Sequence, residues 1–192
     1  MRPFFREIIV ILALAAVIFL LINATIQTSV IQYSSMEPTL DVGQRVLINK
    51  VVYYFHEPER GDVIVFHPPN SQRSDYIKRI IALPGDIVEV KMGVVYVNGS
   101  PIDEPYIKDQ PSYSLHPQTI PENSYFVLGD NRNNSNDSHN GWTVPRQNII
   151  GKAWLSIWPP RQWGLVTSYS LVEQLTSSAD KQAAGAYVSL VE

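Results

Sequence analysis

The sequence contains no cysteine. Disulfides, thiolate nucleophiles and cysteine-built metal sites are excluded together, and the absence suits an extracytoplasmic body. An excess of basic residues is also missing: 15 Lys and Arg face 18 Asp and Glu, for a net charge of -3. Arg2, Arg6 and Glu7 carry +1 of it, so the rest of the chain carries -4 and argues against nucleic acid as a partner. No internal repeat of about 20–50 residues is visible. Histidine is scarce, and none of His56, His67, His116 and His139 lies in a motif that ties it to a serine. A Ser-His-Asp triad stays open only because chain order does not restrict triad geometry. Long apolar runs are equally rare: there is one, at the N-terminus.

What is present describes a β-rich, loop-rich globular body. The 192 residues suffice for one domain with a small appendage, and 45% hydrophobic residues with 14 prolines and 10 tyrosines exclude a disordered chain. Residues 1–7 form a basic N-terminal segment, and Ile8 to Ile22 has no polar residue. With Asn23 and Thr25 at the interface, residues 8–26 approach the roughly 20 residues that a membrane span needs. A cleaved secretory signal is the rival reading, but Ile22-Asn23-Ala24 places a large residue upstream of the cut. A retained anchor is expected, with Arg2 and Arg6 keeping the N-terminus cytoplasmic and the remainder emerging on the extracytoplasmic side.

Beyond the anchor, β-branched and aromatic residues predict strands over Arg45–Phe55, Asp62–Phe66, Ser124–Leu128 and Ile149–Trp158. Asp86–Val90 and Val94–Gly99 predict a hairpin in which Gly93 supplies a positive φ. The proline-rich stretch Pro101–Pro121 reads as a surface excursion. Trp154 is expected in the core. Trp158 and Trp163, on either side of Pro159-Pro160, suit a lipid interface. Residues 165–192 read as a loosely ordered tail with room for a short helix.

Three segments carry chemistry. Ser34-Ser35-Met36-Glu37-Pro38-Thr39-Leu40 follows the apolar run directly; alone, it describes an ordinary loop serine. A serine hydroxyl needs a base to take its proton. Lys78, in Tyr76-Ile77-Lys78-Arg79-Ile80-Ile81, has apolar neighbours whose burial would depress its pKa from about 10.4. Strand alternation sends Lys78 and Arg79 to opposite faces, so one faces the site and the other meets water. The plain alternative is a strand edge with two solvated cations. The third segment is Gly129-Asp130-Asn131-Arg132-Asn133-Asn134-Ser135-Asn136-Asp137-Ser138. Its acidic and amide residues suggest a calcium loop, but Arg132 puts a cation where a ligand belongs.

In their order and spacing the three segments resemble the nucleophile, general-base and Gly-Asp-Asn-Arg boxes of the type I signal peptidases. Pro121-Glu122-Asn123-Ser124 and Asp137-Ser138-His139 are most similar to the cyanobacterial and thylakoid branch. The resemblance runs from the anchor to about Pro160. It implies a mainly β fold, an antiparallel coiled β-sheet domain over residues 27–164 with one N-terminal transmembrane helix. It implies that Ser35 is the nucleophile and Lys78 the base. It also implies that Ser135 orients the Lys78 amine and that Asp130, Arg132 and Asp137 form the scaffold beneath. The implied reaction removes signal peptides from exported preproteins after small residues at positions -3 and -1. No metal or organic cofactor is implied, and the partners would be preprotein signal peptides, the lipid bilayer and the export translocon, with no nucleic acid.

Some positions depart from the family pattern. Gln32 and Tyr33 stand where Pro and Ser are usual, and the family's serine joins the Ser35 amide in the oxyanion hole. A Tyr33 hydroxyl lies several bonds farther out, and losing one such donor typically costs about 10² to 10³ in kcat. Gly141-Trp142 reverses the usual order, and His139 replaces a common arginine, which makes its pairing with Asp137 sensitive to pH. These departures motivate a second reading: a catalytically weak or inactive paralogue that binds signal peptides or assists assembly without cleaving. A third reading, self-cleavage, rests on Ala184-Gly185-Ala186.

Overall fold

The computed structural model describes residues 2–69 and 74–169. The apolar run folds as one helix, α1 (Arg2–Thr25), which takes in most of the segment set apart at the N-terminus. No proline or glycine interrupts it beyond Pro3. Its two late polar residues bond back to the helix, Asn23 to the Phe19 carbonyl at 3.0 Å and Thr25 to the Leu21 carbonyl at 2.8 Å. They therefore extend the helix rather than end it. The side chains of Phe4–Thr25 are open to the surroundings, and the stretch is long and apolar enough to cross a membrane.

The helix passes without a linker into β1 (Ile26–Val30), which pairs with β2 (Arg45–Asn49) from Ile26 opposite Asn49 to Val30 opposite Arg45. The expected strand 45–55 is corrected here: it stops at Asn49, and Val52–Phe55 forms a short helix, α2. The Asn49 side chain causes the stop, because its Oδ1 accepts from the Val51 and Val52 amides, both at 3.1 Å, and turns the backbone. The chain continues through β3 (Val63–Phe66) and β4 (Tyr76–Ala82). The expected hairpin forms from β5 (Ile87–Lys91) and β6 (Val94–Val97), and its turn holds Met92 as well as Gly93 at positive φ, 51° and 77°.

The stretch 101–121 is more than a surface excursion. After β7 (Ser100–Pro101) it buries Ile102, Tyr106 and Ile120 and contributes β8 (Leu115–Thr119), which pairs with β5. Ile102 and Ile120 join the apolar cluster against which Tyr113 and Leu115 pack half-buried, contacts that the proline content concealed. The remaining strands are β9 (Ser124–Leu128), β10 (Val144–Pro145), β11 (Ile149–Trp158) and β12 (Gly164–Leu165).

Among the described residues the strands make two antiparallel sheets. The larger runs β1-β2-β11-β3-β4-β9-β10 with β12 on β11, and the smaller runs β7-β6-β5-β8. Register shifts within β11 and between β4 and β9 bend the larger sheet. β9 and the second half of β4 are buried on both faces, which explains the apolar runs Tyr125–Leu128 and Ile80–Ala82. Ile81, Phe126 and Leu128 pack against the small sheet, while Ile80 and Val127 face Phe66 and Tyr53. A third cluster, with Ile31, Met36, Leu40, Val46 and Val166, lies under the first chemical segment.

Two further expectations need correction. Trp154 is 46% exposed, because bulges in β11 turn it outward. The described part of the tail, as far as Tyr169, belongs to the body: Val166 is buried, and its amide donates to the Trp154 carbonyl at 2.9 Å. The Ala184-Gly185-Ala186 site lies outside the described residues. Replacing Asn49 with alanine removes the acceptor for two turn amides. That should cost about 1 kcal/mol and lower Tm by roughly 2–4 °C, measured by thermal unfolding in detergent.

Candidate active site

β1 delivers the chain through Ile31 to a 3-10 turn at Ser34–Met36. Apolar anchors on both sides hold the turn in place. Met36 and Leu40 are 0% and 2% exposed in the core, and the Leu40 amide donates to the Met36 carbonyl at 2.9 Å. The polar Ser34-Ser35 pair is thereby left at the floor of a cleft of about 970 Å³, whose walls are β1 and the start of β4.

Lys78 enters the cleft from β4. Its residue is 4% exposed, and Nζ lies 2.7 Å from Ser35 Oγ. Nζ also donates to the Ile77 carbonyl at 2.8 Å. Burial pushes the Lys78 pKa down to about 8, and the Asp137 and Asp130 charges act in the opposite sense. About a tenth of the molecules then hold a neutral amine at pH 7. In that form an N–H serves the Ile77 carbonyl, and the lone pair accepts from the Ser35 hydroxyl. This is the geometry of a nucleophile and its base.

Arg79 corrects the expectation that it meets water. It leaves β4 on the opposite face, as alternation requires, but is 0% exposed because the second face is buried too. Its Nε and Nη2 donate to the two Asp130 oxygens at 2.9 and 2.8 Å, and Nη1 donates to the Gly61 carbonyl at 2.8 Å. Asp130 also accepts from Thr39 Oγ1 at 2.5 Å, which ties the serine loop to β4.

The segment 129–138 closes the floor. Arg132 donates to both Glu104 oxygens, at 2.7 and 2.5 Å, and to the Gly129 carbonyl at 3.0 Å. Asp137 accepts from the Gly129 amide at 2.9 Å and lies 2.6 Å from His139 Nδ1. With both aspartates engaged internally, the loop is a hydrogen-bonded scaffold rather than a ligand cup. Ser135 is where the geometry differs from the expected role. It lines the cleft, but its buried Oγ makes no hydrogen bond, and the carbonyl that orients the Lys78 amine is that of Ile77. A main-chain acceptor one residue away along the same strand takes that place. Tyr33 also lines the cleft but is 67% exposed.

Sequence reasoning missed the contacts that hold the serine turn. The Asn131 amide donates to the Ser35 carbonyl at 3.0 Å, Asn131 Nδ2 to the Ser34 carbonyl at 3.1 Å, and Asn134 Nδ2 to Ser34 Oγ at 2.9 Å. Both asparagines stand inside the third segment, and their two-fold donor capacity was the available signal. Of the histidines, His67 Nδ1 lies 2.8 Å from Asp75 and His139 stacks on Tyr113. The hydrogen-bond partner of Ser35 Oγ is Lys78.

The chain is similar to known proteins. The family model described as signal peptidase, peptidase S26, matches residues 4–158. Probable signal peptidase I-1 of Synechocystis is 44% identical over 181 residues, covering 90% of this chain and 92% of that protein. Signal peptidase I of Leptolyngbya laminosa is 47% identical, covering 68% of each chain. The chloroplastic thylakoidal processing peptidase 1 of Arabidopsis thaliana is 40% identical, covering 72% of this chain and 44% of that protein.

Gly129 is the tightest point of the site. A Cβ there would lie 2.4 Å from the Ser35 carbonyl oxygen and 2.3 Å from Ser135 Oγ. Gly129→Ala must move the serine turn, and peptidase activity should fall by about tenfold or more, read as kcat on a preprotein substrate.

Proposed function

The chain belongs to the peptidase S26 family of signal peptidases, and from that premise we propose a membrane-anchored endopeptidase that works through a Ser35-Lys78 dyad. The single observation that carries this reading is the buried 2.7 Å contact between Lys78 Nζ and Ser35 Oγ. Ser35 Oγ attacks the scissile carbonyl while its proton passes to Lys78 Nζ. The Ser35 amide, in the first turn of a 3-10 helix where N–H groups have no intrahelical acceptor, donates to the developing oxyanion. Lys78 returns the proton to the leaving amine as the peptide bond breaks, which leaves an acyl-enzyme. Water then attacks with Lys78 again as base, and the Ser35 hydroxyl is restored.

The substrates proposed are exported preproteins with small residues at positions -3 and -1 before the cut. β1 is the outer strand of the larger sheet, so an extended segment in the cleft has a free strand edge to pair with. Residues 8–26 are proposed as the span, most of them within the apolar helix stretch Phe4–Thr25. Arg2 and Arg6 then fix a cytoplasmic N-terminus, and the catalytic body sits on the periplasmic or thylakoid-lumen side. The exposed Trp158 and Trp163 supply amphipathic rings for lipid contact, and the export translocon is the expected neighbour.

Detergent-solubilised protein should cleave a preprotein with an Ala-x-Ala site after the second alanine, as mapped by mass spectrometry. Ser35→Ala and Lys78→Ala should each lose that product, and a Lys78→Ala protein that cuts at the normal rate would sink the dyad. Because the base must be neutral, kcat/KM should rise tenfold per pH unit below about 8 and level off above it.

The exposed Tyr33 favours a second reading, a weak or non-cutting paralogue, because the position of a second oxyanion donor carries a side chain turned to solvent. Tyr33→Ser should raise kcat by about tenfold or more if the hole is impaired. An unchanged kcat would remove this reading.

A further inference from the structure

The matched family region ends at Trp158, yet the chain that follows returns to the reaction centre. After β12, Val166 packs in the cluster that holds Met36 and Leu40 of the serine loop. One residue on, the Thr167 carbonyl accepts from Arg79 Nη1 at 2.9 Å. The Tyr169 ring lies 5.3 Å from the Arg79 guanidinium and 4.8 Å from the Tyr106 ring, which itself faces the same guanidinium at 4.2 Å. The contact is close along the backbone as well. Gly61 has φ +91°, and a Cβ on it would lie 1.7 Å from the Tyr169 carbonyl oxygen. Only glycine lets the segment lie down there.

We propose that Val166–Tyr169 is a positioning strap for the catalytic machinery, holding the far side of Arg79 so that Arg79 stays on Asp130 and the serine loop stays in register with Lys78. The proposal rests on the Ser35-Lys78 dyad. Its chain of contacts runs from Tyr169 and the Thr167 carbonyl to Arg79, then to Asp130, then through Thr39 to the loop that bears Ser35. A fully buried guanidinium has five N–H donors to satisfy. The strap supplies one acceptor and one aromatic face that the rest of the body does not.

The charged groups that bear on the base give the strap a readout distinct from stability. Asp130 and Asp137 favour the protonated Lys78, and Asp130 is itself ion-paired with Arg79 at 2.8 Å. If the strap lets Arg79 move, Asp130 acts on Lys78 with less compensation, and the base titrates at a higher pH.

The experiment uses the full chain in detergent, with steady-state kinetics on a preprotein and a pH profile for each variant. Tyr169→Ala should lower kcat about tenfold, leave KM within about twofold, and raise the midpoint of kcat/KM against pH by about half a unit. Tyr169→Phe, which keeps the ring, should restore kcat and midpoint. Tyr169→Leu keeps apolar bulk without a π face and serves if the alanine variant does not fold; it should behave as described for Ala. Wild-type kcat and midpoint in Tyr169→Leu, with Lys78→Ala inactive, would overturn the strap and leave the dyad standing. A drop in kcat with an unmoved midpoint and no rescue by phenylalanine also overturns it, since that pattern is plain destabilisation. An active Lys78→Ala protein would overturn the dyad itself.

Discussion

The buried pair between Arg79 and Asp130 is the interaction on which the rest of the site depends. Both side chains are 0% exposed, so neither charge has water to fall back on. Removing one partner of such a pair commonly costs about 3–5 kcal/mol, because the other charge is stranded. The surroundings are arranged accordingly. The Gly61 and Thr167 carbonyls take one end of the guanidinium, the Tyr106 ring covers its face, and Thr39 donates to the second Asp130 oxygen. These groups come from four separate stretches of chain, and satisfying one charge pair brings them to one point. One position back along β4, Lys78 meets Ser35 because the strand must present the residue before Arg79 to the other face.

Burial that serves the pair also sets the titration of Lys78, the proposed base. A lysine held at a pKa of about 8, against about 10.5 in the unfolded chain, is a cost to the fold wherever it carries its proton. The sign follows from linkage. Below pH 8 the folded protein bears the full penalty of roughly 3 kcal/mol, and the penalty is relieved as pH rises from about 8 to about 10.5. On the proposed dyad, catalytic competence and stability improve in the same direction through the alkaline side of neutrality. The nearby aspartates limit the effect: without Asp130 and Asp137 the amine would titrate lower and be more fully neutral.

Much of this was legible in the sequence, and the reasons for the rest are physical. The strands at 62–66, 124–128 and 149–158 and the hairpin around Gly93 announce themselves by β-branched residues and turn chemistry. Ser35 and Lys78 stand out in the sequence because their local strings are distinctive, and their meeting at 2.7 Å is a tertiary fact. Tyr53 shows where propensity misled: in a β-prone run it nonetheless lies on a helical turn, because Asn49 caps that turn and the Tyr53 hydroxyl reaches Asp62 at 2.8 Å. β1 was hidden for a different cause. Ile26-Gln27-Thr28-Ser29-Val30 is polar in its middle and reads as the frayed end of the apolar run until Leu47 and Ile48 are set beside it. Arg79 could not have been placed by alternation alone. Alternation gives the face and not whether that face is wet, and here the far side of β4 is covered by the residues around Tyr106.

The direct joint between α1 and β1 sets one last constraint. The Thr25 carbonyl still accepts from the Lys50 amide at 2.9 Å, so the helix end is hydrogen-bonded to the catalytic body and has no free linker. β1 rises about 3.3 Å per residue, so the cleft wall at Val30 lies only about 13 Å along the strand from Ile26. In the proposed topology the bilayer surface is near that helix end, and Ser35 follows within one short turn of Val30. A reaction centre tethered that tightly to a span is suited to a bond that is itself close to the membrane. A signal peptide whose apolar core sits in the lipid presents its cleavage site just outside it. In that proposed topology a joint without a linker would hold the cleft at one height, and the substrate's own apolar length would decide which bond arrives there.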